Sequence, residues 1–167
     1  RGVLNGLEGV SDQYGIDPGD VGFFGHGTTV ATNAGLEGEW ADTALVTTAG
    51  FRDVLEIGRQ ARPDIYDFQA EKPTPVVERD RRYEVTERLD ERGDVHEPLD
   101  EASVEAIADD LADVDSVAVS LLYSFENDAH EQRVRELLEA QGVDASFSLS
   151  SRVLPEIREY ERTLTTS

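Results

Sequence analysis

Residues 116–123 (SVAVSLLY) form an almost unbroken apolar run, and such a run marks a strand covered on both faces inside a parallel sheet. Beyond it, Asn127 stands where it caps a helix carrying Val134, Leu137 and Leu138, Gly142 ends that helix, and residues 143–149 form another strand. Strand, helix and strand over 117–149 make a βαβ unit with a right-handed crossover, which commits the chain to the α/β class.

The rest of the chain is read around that unit. Val3, Leu4, Leu7 and Val10 have helical spacing, and Gly15 with Pro18 ends the helix. Residues 21–25 (VGFFG) form a brief strand that runs into His26-Gly27-Thr28-Thr29, after which Val30, Ala31 and Ala34 suit a helix. Residues 43–48 (TALVTT) are the next buried strand, and Gly50-Phe51-Arg52-Asp53 opens a helix with Val54, Leu55 and Ile57 on its apolar side. From 62 to 80, Pro63, Pro73 and Pro75 forbid regular helix, so a long extended loop is expected there, the kind that covers a site. Residues 81–89 alternate like an exposed antiparallel strand, 91–94 turn, and 95–98 return as a hairpin partner. Asp100 caps a helix with Val104, Ile107, Ala108 and Leu111 at i, i+3, i+4 and i+7. Residues 151–167 open a new element with no expected partner in this chain. The reading is one domain over 1–150, with an inserted hairpin, and the start of the next domain or a connecting element over 151–167.

Charge narrows the function. The 167 residues carry 36 acidic against 15 basic side chains, a net charge of −21, and only one of the basic residues, Lys72, is a lysine. Nucleic-acid binding needs a basic footprint that this surface does not supply. Well-behaved small domains carry charges of roughly 2–8 in magnitude, so −21 points to salt adaptation and a halophilic source. No apolar run approaches the roughly 18 residues of a membrane-spanning helix and the start is no signal peptide, so a cytoplasmic protein without a membrane partner is expected. The absence of cysteine excludes disulfides and thiolate chemistry. There is no methionine, and the chain is expected to be an excised piece of a longer polypeptide.

Several motifs are absent. Lys72 precedes Pro73 rather than Ser or Thr, which excludes a P-loop; there is no G-x-S-x-G elbow, and His96-Glu97 and His130-Glu131 do not extend into a zincin motif. His96 and His130 read as structural or exposed.

Three constellations remain. In residues 25–33 (GHGTTVATN), glycines turn the backbone after a strand and hydroxyls stand at a helix N-terminus that favours an anion; the alternative is an ordinary N-cap with a core histidine. Arg52, Arg59 and Arg62 offer guanidinium forks for carboxylate or phosphate, or equally pair with Asp53, Glu56 and Asp64. Residues 155–163 (PEIREYERT) become a site if they converge on a cleft, or otherwise form a solvated helix with i, i+3 and i+4 pairs.

The strings HGTTVATNAGLE, TALVTTAGFRDVLEIGRQARPDIYD and LSSRVLPEIREYERTLTTS, in that order from about residue 22 to 167, closely resemble the N-terminal region of the hydantoinase A and oxoprolinase family, N-methylhydantoinase A-like proteins included. The resemblance implies an actin-like, ribonuclease H-like α/β fold with a mostly parallel sheet, here an incomplete fragment. Lacking the family's glycine-rich first hairpin and the large domain beyond 167, it is expected to be inactive alone. The implied enzyme is an ATP-dependent cyclic amidohydrolase that opens a hydantoin- or oxoproline-type ring by phosphoryl activation. The alternatives are a subunit of an acetone-carboxylase-like ATP-dependent carboxylase and a non-catalytic scaffold module. ATP and Mg²⁺ are the implied cofactors, and the metal's identity stays open. A cyclic amide, a hydantoinase B type second subunit and an oligomer are the implied partners. As motif positions, the resemblance carries His26, Thr28 and Thr29 as catalytic, and Gly27, Asn33, Arg59, Arg62, Glu161 and Arg162 as binding substrate or phosphate.

Overall fold

A computed structural model describes residues 9, 13–15, 17, 29, 33, 40–60, 66, 67, 69, 72 and 74–167. All but residue 9 of the helix expected over 3–10, the strand over 21–25 and much of the 62–80 loop lie outside the described residues. The chain divides into one unit over 1–39 and a second over 40–167. Within the first, the amide of Asn33 donates to the carbonyl of Thr29 at 2.8 Å, one helical turn.

In the second unit, β1 (Thr43–Thr48) and β5 (Ser116–Ser120) pair in parallel at the centre, with Thr43 opposite Ser116 and Thr47 opposite Ser120. On the far side of β1 lies β2 (Arg82–Val85), parallel, with Leu45 opposite Arg82. On the far side of β5 lies β6 (Ser146–Leu149), also parallel, giving the order β2-β1-β5-β6. The hairpin is a separate pair, β3 (Arg88–Leu89) against β4 (Val95–Glu97), antiparallel. This is the mostly parallel α/β sheet with an inserted hairpin that the sequence implies.

Alternate residues of a strand face opposite ways, and the core obeys this. Ala44, Val46, Val117 and Val119 join Val104, Val134 and Leu138 on one face. Leu45 and Ala118 join Leu55 and Val77 on the other. The helices α1 (Val54–Ile57), α2 (Glu101–Glu105) and α3 (Ala129–Ala140) therefore cover both faces. The crossover with α1 runs one way from β1, and the crossover with α3 runs the other way from β5, so crossovers of one hand place the two helices on opposite faces. Burying each core leucine stabilises by about 1.5–3 kcal/mol.

Four expectations change. The stretch 81–89 is not one exposed strand: its first half is β2 in the parallel sheet and its second half is β3. Arg82 looks like a surface residue but is 1% exposed, since its guanidinium donates to the carbonyls of Val77 and Arg52 and to Glu56. The apolar run 116–123 ends as a strand at Ser120, after which the chain turns sharply, with Tyr123 at φ 55°. The helix from Asp100 stops at Glu105 and continues as a 3₁₀ turn, Asp109–Leu111, with Val104, Ala108 and Leu111 still buried. The C-terminal element does find a partner: after the short α4 (Ser150–Val153), α5 (Glu159–Thr166) packs on β5 and α1.

Capping follows the sequence at Asp100 and Gly142, whereas the N-cap of α3 is Asp128, one residue after the expected Asn127. Asp100 accepts from the amide of Ala102, Asn127 accepts from that of Ala129, and Gly142, at φ 90°, ends α3. Among the described residues no helix is long and apolar enough to cross a membrane.

Candidate functional site

In an open α/β sheet, the crevice outside the carboxyl ends of the strands opens where neighbouring strands send the chain opposite ways. Here that point is the end of β1 and β5. It is unusually polar inside. The hydroxyl of Thr48, the last residue of β1, donates to Oε1 of Glu87 and accepts from the amide of Leu122 at 3.0 Å. Glu87 Oε2 lies 2.7 Å from Nδ1 of His130, and the Glu87 side chain is fully buried while that of His130 is 12% exposed. His130 sits in the first turn of α3.

A second buried carboxylate stands beside it. Glu131 accepts four hydrogen bonds: from the Leu121 amide at 3.1 Å, the Ser150 hydroxyl at 2.6 Å, and the Ser151 amide and hydroxyl at 3.0 and 2.6 Å. It thereby ties the end of β5 to the start of α4. On the other face, the Thr47 hydroxyl donates to the Ser120 carbonyl, and the hydroxyls of Ser120 and Thr163 lie 2.9 Å apart, which holds α5 on β5.

Over that face, between the turn after β1, α1 and the start of α5, opens a cavity of about 290 Å³. Phe51, Val54, Ile57 and Tyr160 make its apolar wall, and Asp53 and Glu159 add carboxylates. Gly58 ends α1 at φ 54°, ψ −142°, a conformation reserved for glycine, and the Tyr160 ring packs where a side chain would project. Arg59 follows directly, and its Nε donates to Glu161 at 2.7 Å. The Glu161 carboxyl is held below its ordinary value, first by its own backbone N–H and then by Arg59.

Of the residues singled out in the sequence, Arg59 and Glu161 meet beside this cavity. Arg162 does not join them on the wall. It is 1% exposed, donates to the carbonyls of Leu121 and Glu156, and lies over the Phe125 ring. Burial lowers its pKa, against the opposing fields of Glu131 and Glu159. Thr29 and Asn33 lie in the first unit, and His26, Gly27, Thr28 and Arg62 lie outside the described residues. Arg52 donates to the Arg79 carbonyl, and it is Arg79 that pairs with Asp53.

Thr48, Glu87 and His130 were not legible as a group, because a strand end, a loop and a helix bring them together. Glu131 did leave a signal: it shares the apolar stripe of α3 with Val134 and Leu138, at i, i+3 and i+7. An acid on a core stripe needs partners, and Ser150 and Ser151 supply them.

Comparison with known proteins fits this architecture. Residues 1–142 match the hydantoinase/oxoprolinase N-terminal region. Acetophenone carboxylase gamma subunit of Aromatoleum aromaticum is 36% identical over 98% of this chain and 25% of the relative. For 5-oxoprolinase 1 of Arabidopsis thaliana the identity is 36% over 83% of this chain and 12% of the relative. The crystal structure of the ATP-dependent caprolactamase from Pseudomonas jessenii superposes with a TM-score of 0.82 at 34% identity, over 98% of this chain and 25% of that one. The chain thus spans about a quarter of the length of several curated relatives it matches. By the match over 1–142 and by these likenesses, the chain belongs to the hydantoinase/oxoprolinase family and corresponds to its N-terminal region.

Proposed function

We propose that this chain is part of an ATP-dependent hydrolase that opens a cyclic amide. The observation that carries the reading is family membership over most of the chain, joined to a polar crevice at the end of β1 and β5 and an adjoining recess. A likeness to caprolactamase and 5-oxoprolinase supports a lactam-type substrate. An unactivated amide is a poor electrophile, and phosphorylating its oxygen makes that oxygen a leaving group.

The recess between α1 and α5 suits a small neutral ring. Phe51, Val54, Ile57 and Tyr160 offer apolar and aromatic contact, and Asp53 or Glu159 accepts from a ring N–H. A more anionic ring has a handle in Arg59, whose Nε alone is engaged by Glu161.

The same recess does not fit a nucleoside triphosphate, because its charged wall residues, Asp53 and Glu159, are carboxylates that repel phosphate. The nucleotide and Mg²⁺ belong in this proposal to the glycine- and hydroxyl-rich segment 25–29 and to parts of the longer polypeptide. His26, Thr28 and Thr29 are its proposed catalytic positions, and Gly27, Asn33 and Arg62 its proposed anion contacts. A second subunit of hydantoinase B type is the proposed partner; relatives named as alpha and gamma subunits support an assembly.

The likeness to a carboxylase subunit favours a second reading, capture of a phosphorylated intermediate by bicarbonate. The full-length protein with its partner, incubated with Mg-ATP and 5-oxoproline, hydantoin or caprolactam, separates the two. Hydrolysis predicts ADP and ring-opened amino acid in equal amounts without bicarbonate. Turnover that needs bicarbonate and an added ketone supports the carboxylase instead, and no nucleotide turnover with any of them contradicts both.

A further inference from the structure

We propose that His130 is the group that accepts and returns the proton during ring opening, and that Glu87 and Thr48 are positioning residues that fix its imidazole. The inference rests on the cyclic-amide reading above.

The Leu122 amide sets the direction at one end of this chain of groups, and at the other we assign the tautomer in which Glu87 is ionised and Nδ1–H of His130 donates. The Leu122 amide can only donate, so the Thr48 hydroxyl accepts from it and spends its own proton on Glu87 Oε1. A carboxylate only accepts, so Oε2 takes a proton from Nδ1 of His130 at 2.7 Å. That assignment leaves Nε2 of the neutral ring with its lone pair outward. Nε2 has no hydrogen-bond partner among the described residues. The His130 side chain is 12% exposed.

Burying a carboxylate is costly unless every oxygen is bonded. Glu87, fully buried and with no arginine or lysine on it among the described residues, bonds to Thr48 and His130. Such an arrangement serves to orient an imidazole, as carboxylate–histidine pairs do elsewhere. Its position, beyond the carboxyl ends of β1 and β5, is where this sheet type presents ligands.

The step acts on the amide whose oxygen already carries the phosphoryl group from ATP. As a water oxygen bonds to the amide carbon, its proton passes to Nε2. The imidazolium then gives that proton to the ring nitrogen as the C–N bond breaks, the imidazole is restored, and a second water attacks the carbon of the acyl phosphate left behind, releasing the carboxylate and inorganic phosphate.

In the full-length protein, His130→Asn keeps a donor near the position of Nδ1 and loses Nε2. The expected result is an unchanged melting temperature, a KM for the lactam within about threefold, and kcat for ring opening lowered about 10²–10⁴-fold, the usual worth of general acid–base catalysis. A kcat within about threefold of the parent would overturn the proposal, since a structural histidine is served by asparagine. Glu87→Gln, offering an amide donor to Nδ1, is expected to reverse the tautomer, lowering kcat with little change in KM; equal losses in kcat and stability alone would contradict a positioning role.

A second measurement stands apart from turnover. Diethyl pyrocarbonate, which acylates unprotonated imidazole nitrogen, is expected to modify His130 in the parent protein and far more slowly in Glu87→Gln, read by mass spectrometry. A His130 that stays unmodified while exposed His96 reacts would sink the proposal even if the lactam chemistry holds. Lack of any lactam turnover in the parent protein would instead sink the reading on which it rests.

Discussion

Replacing Glu131 with glutamine changes one oxygen to an amide and removes one buried charge. The carboxylate takes four hydrogen bonds, two of them from the backbone amides of Leu121 and Ser151. The serine hydroxyls can rotate to accept from the new amide, but an N–H cannot. One backbone amide is left without an acceptor, at a cost of about 1–3 kcal/mol, and the remaining bonds fall from charge-assisted to neutral, about 1 kcal/mol more. The sum is about 3 kcal/mol, which for a chain of this size is a drop of about 6–12 °C in melting temperature. Glu131→Ala, which strands both amides, is expected to cost about 4–5 kcal/mol. Circular dichroism melts of the parent and both variants measure this. A shift below about 2 °C for Glu131→Gln would show that water or the serines already satisfy these donors, and the picture of Glu131 as the tie between β5 and α4 would be refuted.

Further outcomes follow from the same structure. Arg59→Ala removes an ion pair whose arginine is 67% exposed, so stability is expected to fall by less than about 1 kcal/mol; a lactam KM that also stays unchanged would take Arg59 out of the recess. The native pKa of Glu161 is lowered, so its contribution is complete above the ordinary value of 4.5 and is lost as pH falls through the lowered native value. An NMR titration in which Glu161 protonates above 4.5 contradicts the pairing. Gly93→Ala forces a side chain to φ 78° and to 3.1 Å from Cβ of Asn127, where Asn127 also donates to the Gly93 carbonyl. The expected cost is about 1–3 kcal/mol by urea unfolding, with none if the hairpin floats free. With a net charge of −21, the midpoint in urea is expected to rise between low and molar salt as repulsion is screened; a fall would remove the halophilic reading.

Much of the sheet was legible because burial on both faces writes itself as apolar, β-branched segments: 43–48 (TALVTT) and 116–120 (SVAVS) need no tertiary knowledge to be read as strands. The Asp100 cap and the Gly142 stop are equally local. What misled was satisfied charge. Arg82 and Glu84 make 82–85 look like a solvated strand, yet Arg82 is enclosed by carbonyls that no sequence pattern announces. The C-terminal segment 155–163 reads as an alternating surface helix, while Arg162 and Thr163 turn inward onto Leu121 and Ser120. The pairing of Arg59 with Glu161, 102 residues apart, joins two constellations the sequence offered separately. His130 is the instructive failure: alone at the polar start of a helix it has no distinguishing neighbour, and only the fold brings Glu87 and Thr48 to it.

The most direct measurement of the central claim, amide opening through phosphorylation, is the fate of isotope in the ring carbonyl. Full-length protein and partner are given Mg-ATP and a lactam labelled with ¹⁸O at that oxygen, and the products are weighed. Transfer of phosphate to the amide oxygen predicts ¹⁸O in the released inorganic phosphate, whereas label confined to the new carboxylate, with the phosphate unlabelled, would contradict it.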